Sequence, residues 1–171
     1  EALEMERLLL AVGSPDREDL LRAALATDMI GCDLETLGAL QQDERAWELR
    51  REGFRNDHDL WRKGGFLRMF RRLMEREQVR TRLLSFPDGE RRLTNMIHLS
   101  ELLHGQESMN QPGMGGLLKW LVERRDAGTP RLEDHQLRLE SDAGAVRIVT
   151  IHKSKGMEYP VVFCPFAWGD P

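Results

Sequence analysis

Apolar residues recur at helical spacing through the first 128 residues, and the period then changes to two. Leu8, Leu9 and Leu10 mark a first helix over residues 4–12, ended by Gly13. Ser14, Pro15 and Asp16 supply an N-cap, a first-position proline and an acid, which predict a second helix running to Met29. It buries Leu20, Leu21, Ala24 and Leu25, and Gly31 closes it. Asp33 caps a third helix ending near Gln41. A longer one spans residues 44–63, with Trp47, Leu49, Phe54, Leu60 and Trp61 as core contacts, until Gly64-Gly65 breaks it. Phe66, Leu67, Phe70, Leu73 and Met74 share one face of a helix over residues 66–84. Pro87-Asp88-Gly89 is a turn. Residues 90–104 return to helical spacing, residues 105–116 read as a Gly-rich loop, and 117–125 form one more helix.

After Pro130, Gln136-Leu137-Arg138-Leu139-Glu140 alternates as a half-exposed strand. Asp142-Ala143-Gly144-Ala145 forms a tight loop, and the β-branched residues 146–151 return as the strand's partner. Val161-Val162-Phe163-Cys164 is an apolar run that reads as a further strand. The fold class expected is mainly α: a helical subdomain over residues 1–130, then a β-hairpin and the opening of an α/β domain over 131–171.

Composition narrows this little. The hydrophobic fraction of 40% supports a packed core, and the charged fraction of 32% is not that of a disordered tail. Cys32 and Cys164 lie far apart and form no metal or redox pattern, so both are read as buried thiols in a reducing cytosol. No apolar run approaches the roughly 20 residues of a membrane span, so no membrane partner is expected. The chain begins with Glu1, and residues 166–171 follow directly on a buried-looking strand with nothing to cover it. The natural protein is expected to continue on both sides, with residues 161–166 packed here as an orphan strand.

Charge is uneven. From position 45 to 92 there are 14 Lys and Arg against 8 Asp and Glu, although the whole chain carries −4. Arg68, Arg71, Arg72 and Arg76 form a candidate basic face, since the guanidinium fork suits phosphate. The alternative is a solvated helix face paired with Glu75 and Glu77.

The densest chemistry lies between the last two strands. Thr150, His152, Lys153, Ser154, Lys155, Gly156 and Glu158 place two hydroxyls, an imidazole, two ammonium groups, a glycine and a carboxylate within nine residues. Strand ends in α/β proteins tend to aim such groups at a ligand. With Met157, Tyr159 and Val162, this array resembles motif V of the UvrD/RecB-type superfamily 1 DNA helicases. The stretches 89–95, 97–103 and 138–142 are similar to the beta-chain branch of exodeoxyribonuclease V, the RecB family, and residues 21–28 are so more weakly. Met157 stands where that family usually has Leu, a volume-conserving change.

The resemblance implies part of an ATP-driven DNA helicase joined to a nuclease, acting at double-strand ends in recombinational repair in the bacterial cytoplasm. Residues 1–130 would be the helical insert of the second RecA-like motor (the 2B subdomain), and residues 131–171 its re-entry strands with motif V. Thr150, His152, Lys153 and Ser154 would contact phosphates of single-stranded DNA. Glu158 would accept from the ATP sugar, beside Gly156 and Lys155. ATP and Mg²⁺ would serve the full-length protein. Its partners would be single-stranded and duplex-end DNA and the RecC- and RecD-like chains of the complex.

No G-x-x-x-x-G-K-[ST] loop is present to cradle phosphates, and no complete catalytic set is visible. No metal site is expected. Asp43-Glu44 lies inside a helical stretch, Asp57-His58-Asp59 reads as a solvated helix face, and His98, His104 and His135 are scattered. The isolated chain is therefore expected to be inactive. The competing reading is a helical module that docks protein or DNA without enzymatic work.

Overall fold

The computed structural model describes residues 1–125, 149–156, 158–159 and 161–164. It divides the chain into two units, Glu1–Leu139 and Glu140–Pro171. All regular structure among the described residues is helical, so the protein is mainly α. The strand expected over 136–140, the loop 142–145 and most of its partner strand lie outside the described residues.

The first unit is built around α1 (Ala2–Gly13), whose Met5, Leu8, Leu9 and Val12 fall at helical spacing and are fully buried. It packs against α2 (Glu18–Leu25), α4 (Glu44–Gly64), α7 (Gly89–Asn110) and α8 (Gly113–Arg125). A second seam joins α4 to α5 (Phe66–Arg76), which also meets α7 and α6 (Val79–Leu84). Phe54 and Phe66 are fully buried there, each contributing about 1.5–3 kcal/mol by its burial. The short α3 (Leu34–Gln42) rests on α4 and buries no residue completely.

Some boundaries differ from those read in the sequence, each for a local reason. Ser14 does not start α2. Its N–H donates to the Leu10 carbonyl and ends α1, while Arg17 takes the N-cap position of α2. That helix stops at Leu25 rather than Met29, because the Thr27 hydroxyl donates back to the Ala24 carbonyl at 2.6 Å and the chain turns to Gly31. The helix expected over 66–84 is broken at Gln78, whose φ of 52° is left-handed. The Gln78 side chain donates to the Glu75 carbonyl at 2.8 Å and closes α5.

The loop expected over 105–116 is mostly helix. α7 continues to Asn110, leaving Gln111 and Pro112 as the connection to α8. The helix runs on because its last turn has a task. The Glu107 carboxylate accepts from the Phe66 backbone N–H at 2.9 Å and from the Trp61 indole at 3.0 Å. It thereby caps α5 from another element, where Gly65, at φ 81°, can offer no side chain. Gly89 is required by a close approach: a Cβ there would collide with the backbone of Leu83 and Leu84.

In the second unit, the strand expected over 146–151 is not formed at its described end. Val149 and Thr150 have no regular structure, and Ile151 opens a short helical turn, α9 (Ile151–Ser154). Nor do residues 161–164 form a packed orphan strand; Val161, Val162 and Phe163 are 71%, 63% and 84% exposed. A strand needs a neighbour to satisfy its backbone, and no strand exists among the described residues for either segment to join. Cys164 is exposed rather than buried, and Cys32 is half-buried.

Candidate functional site

Two places carry the candidate residues. The first is the turn around α9. Thr150 stands immediately before the helix, and its carbonyl accepts from the Ser154 N–H at 3.0 Å. His152 and Lys155 are three residues apart on this turn, hence neighbours on one side of it, and both are exposed. Thr150 and Glu158 are exposed as well, and Ser154 is half-buried. Gly156 has φ 86°, with nothing within 4 Å of where a Cβ would stand. The glycine therefore serves the left-handed backbone that closes the turn, not a tight contact in this structure. Lys153 lies within the turn.

The chemistry of this turn is that of a polar, solvent-facing loop with donors and one carboxylate. Hydroxyl, imidazole and ammonium groups can donate to phosphate oxygens without reading bases. The Glu158 carboxylate can accept from sugar hydroxyls. The described residues do not fit Mg²⁺, since no group of three His, Cys, Asp or Glu is placed to hold a metal ion among them.

The second place is α5, whose arginines divide by partner. Phe66, Met69, Phe70 and Leu73 face the core, and Arg68, Arg71 and Arg72 lie exposed on the other side. Among the described residues these three make no ion pair or hydrogen bond. Arg76 is different and leaves the candidate face. Its Nε is 2.8 Å from Glu77 Oε1, its Nη1 is 2.7 Å from Asp57 Oδ2, and the same Nη1 donates to the Gly53 carbonyl at 3.0 Å. Its guanidinium also lies over the Phe54 ring, 5.7 Å from the centroid. Glu77, only 7% exposed, takes a second ion pair from Arg50 at 2.8 Å. The pairing expected between the arginines and Glu77 thus holds for Arg76 alone among the four.

Asp57 was expected on a solvated face and is fully buried instead. Its contact with Arg76 is close, but neither carboxylate oxygen receives a well-aligned hydrogen bond. Burial pushes its pKa above the ordinary carboxylate value, against the pull of Arg76 and the weaker one of Arg72. The neighbouring His58 is bonded through Nδ1 to the Val12 carbonyl at 2.9 Å, and only Asp59 of the trio is exposed. A signal for this was present: Trp47, Phe54 and Trp61 recur every seven residues, and position 57 falls on the same helix face. Asp43, set aside as a metal ligand, caps α4 by accepting from the Ala46 N–H at 3.0 Å. Glu107 is the residue that sequence reasoning missed altogether, having been assigned to a loop.

No helix among the described residues is long and apolar enough to cross a membrane. The model of the UvrD-like helicase C-terminal domain matches residues 34–167, a span that includes both α5 and the turn. The chain is 45% identical over 167 residues to the RecBCD enzyme subunit RecB of Escherichia coli, covering 97% of this chain and 14% of that protein. It is 36% identical over 143 residues to RecB of Haemophilus influenzae, covering 84% of this chain and 12% of the relative. RecB of Mycobacterium tuberculosis is 37% identical over 164 residues, or 94% of this chain and 14% of the relative. The chain thus spans 14% or less of the length of these curated relatives. With a family match over most of its length, the chain belongs to the UvrD-like helicase C-terminal domain family.

Proposed function

We propose that this chain is a segment of a RecB-type subunit, an ATP-dependent DNA helicase and exonuclease that unwinds and degrades duplex DNA ends in recombinational repair. Residues 1–130 act as the helical 2B-like insert, and residues 131–171 as the re-entry strands of a RecA-like motor. The observation that carries this is the turn at α9, where exposed Thr150, His152, Lys155 and Glu158 are gathered within nine residues. Thr150, His152, Lys153 and Ser154 hold phosphates of single-stranded DNA. Glu158 holds the sugar of ATP, with Gly156 shaping the turn and Lys155 beside it. One short segment then touches both the track and the fuel, and contacts that differ between nucleotide states couple turnover to strand movement. ATP hydrolysis, with Mg²⁺, supplies the energy for movement; the phosphate loop that it needs lies elsewhere in the parent protein. RecC- and RecD-like chains are its partners, and the complex works in the bacterial cytoplasm.

The test is made in the full-length parent. Replacing Thr150 and His152 together by Ala should lower ATPase stimulation by single-stranded DNA about tenfold or more, with KM for ATP unchanged. Glu158→Gln should raise KM for ATP about tenfold, the scale of one lost charge-assisted hydrogen bond, while DNA affinity stays the same. Unchanged DNA stimulation in the first variant and unchanged KM in the second would overturn the assignment.

A further inference from the structure

The last turns of α7 are helical against their own sequence. Gly105, Ser108 and Asn110 are weak helix formers, and the stretch reads as a loop by composition. The helix also ends under strain. Gln111 sits at φ 44°, a left-handed position that glycine or asparagine usually fills, and its N–H donates to the Glu107 carbonyl at 2.9 Å. Burial does not offset this. Leu103 is the last fully buried residue of α7, and Ser108, Met109 and Asn110 are exposed.

Among the described residues, Glu107 alone ties residues 105–110 to another element by hydrogen bonds. Its carboxylate spans the corner between α4 and α5. Oε1 accepts from the Trp61 indole and from the Phe66 N–H, both at 3.0 Å, and Oε2 accepts from the same N–H at 2.9 Å. The corner needs such a hold, because Gly64 and Gly65 leave its backbone free to turn. Gly65, at φ 81°, is the single residue between the two helices. A Cβ on it would stand 3.2 Å from Oε2, so the glycine also admits the carboxylate.

We propose that residues 105–111 are a helix–loop switch, with Glu107 as the latch that couples it to the α4–α5 corner. In the latched state, the bonds from Trp61 and Phe66 stabilise a helix that local propensity disfavours. In the released state, α7 ends near Gly105 and residues 106–112 become the connection to α8. The Phe66 N–H then loses its cap, and α5 is freed to pivot about Gly64-Gly65. Two arrangements of similar free energy arise where local preference and tertiary contact disagree. Ordering and disordering of one segment is a recurrent form of switching. The Glu107 carboxylate has no Lys or Arg within ion-pair distance among the described residues, so release breaks no ion pair and returns the charge to water. The switch is separate from the contacts assigned to the turn at α9.

The coupling is reciprocal, so a change at either end must be felt at the other. Hydrogen exchange in the full-length parent, resolved by residue with mass spectrometry, reads the amides of Phe66 and of residues 109–111. The variants are G105A and E107A, with G38A as control. Gly105 and Gly38 both lie within helices and have open space where a Cβ would stand, so Ala stiffens each helix without a clash. G105A should slow exchange about fivefold at residues 109–111 and by the same factor at Phe66. E107A should accelerate both by about tenfold or more. Alanine is the better helix former, so local propensity alone would slow residues 109–111 in that variant. G38A should change neither site. Phe66 unmoved by G105A, or residues 109–111 slowed by E107A, would make Glu107 a fixed cap and overturn the proposal. If E107A unfolds the chain, so that the Leu8 and Leu9 amides of α1 exchange equally fast, the G105A result alone decides.

Discussion

The two sides of α5 use one residue type in opposite ways. On the inner edge, Arg76 is engaged by the buried Asp57, by Glu77, by the Gly53 carbonyl and by the ring of Phe54, with part of its side chain still exposed. On the outer side, Arg68, Arg71 and Arg72 reach solvent with no carboxylate within ion-pair distance among the described residues. The inner arginine neutralises charge that has already been removed from water. The outer ones keep their charge available. Arginine content alone therefore says little about nucleic-acid binding; what matters is how much of it the fold has already consumed.

The comparison breaks most visibly through stability. Arg76→Gln leaves the buried Asp57 without its ion-pair partner, while Glu77 keeps Arg50, and should destabilise the chain by about 3 kcal/mol in urea unfolding. The identical change at Arg68 should stay within about 0.5 kcal/mol of the unsubstituted chain. Equal losses at the two positions would mean that Arg76 is no more structural than its neighbours, and the division of the helix would fall.

The next effect concerns what holds α5 in place. Glu107 supplies the only charged group on the N–H of Phe66 among the described residues, and it also receives the Trp61 indole. Glu107→Ala should cost about 2 kcal/mol, the combined scale of a lost helix cap and a lost charge-assisted hydrogen bond. Hydrogen exchange at the first turn of α5 should rise in parallel. A loss of stability with protection of that turn intact would show that the carboxylate acts elsewhere.

How much of this was legible depends on whether the deciding partner was local. Phe66, Phe70 and Leu73 announced the buried face of α5 by their spacing, and Asp33 and Asp43 announced caps that accept from N–H groups three residues on. The split among the arginines was not legible, because Arg72 and Arg76 differ only in what lies across the α4–α5 seam. The Gln78 break was hidden for a related reason: no glycine or proline marks it. Asp57 could have been found, since its neighbours Trp47, Phe54 and Trp61 set the register of the buried face. At the turn, the residue pattern Thr150, His152, Lys155, Gly156, Glu158 identified the family, while its β-branched flank suggested a strand. Propensity for a strand is expressed beside another strand, and at the described end of that flank Val149 and Thr150 have no regular structure and Ile151 opens α9.

The smallest effect has the most definite sign. Burial raises the pKa of Asp57 above its ordinary value, so the folded protein holds this proton more tightly than the unfolded chain. Stability from this group is therefore full below the unfolded carboxylate pKa of about 3.9 and is lost as pH rises through the folded value. Asp57→Asn mimics the protonated form and removes that loss. The variant should match the unsubstituted chain in acid and equal or exceed it by up to about 1 kcal/mol at neutral pH. Arg76 keeps Glu77 and the Gly53 carbonyl, so the substitution does not strand it. Urea midpoints taken across pH decide the matter. If Asp57→Asn is less stable at neutral pH by as much as Arg76→Gln, the ionised pair holds the seam. If it is not, the arginine serves a carboxylate that the fold would do as well without.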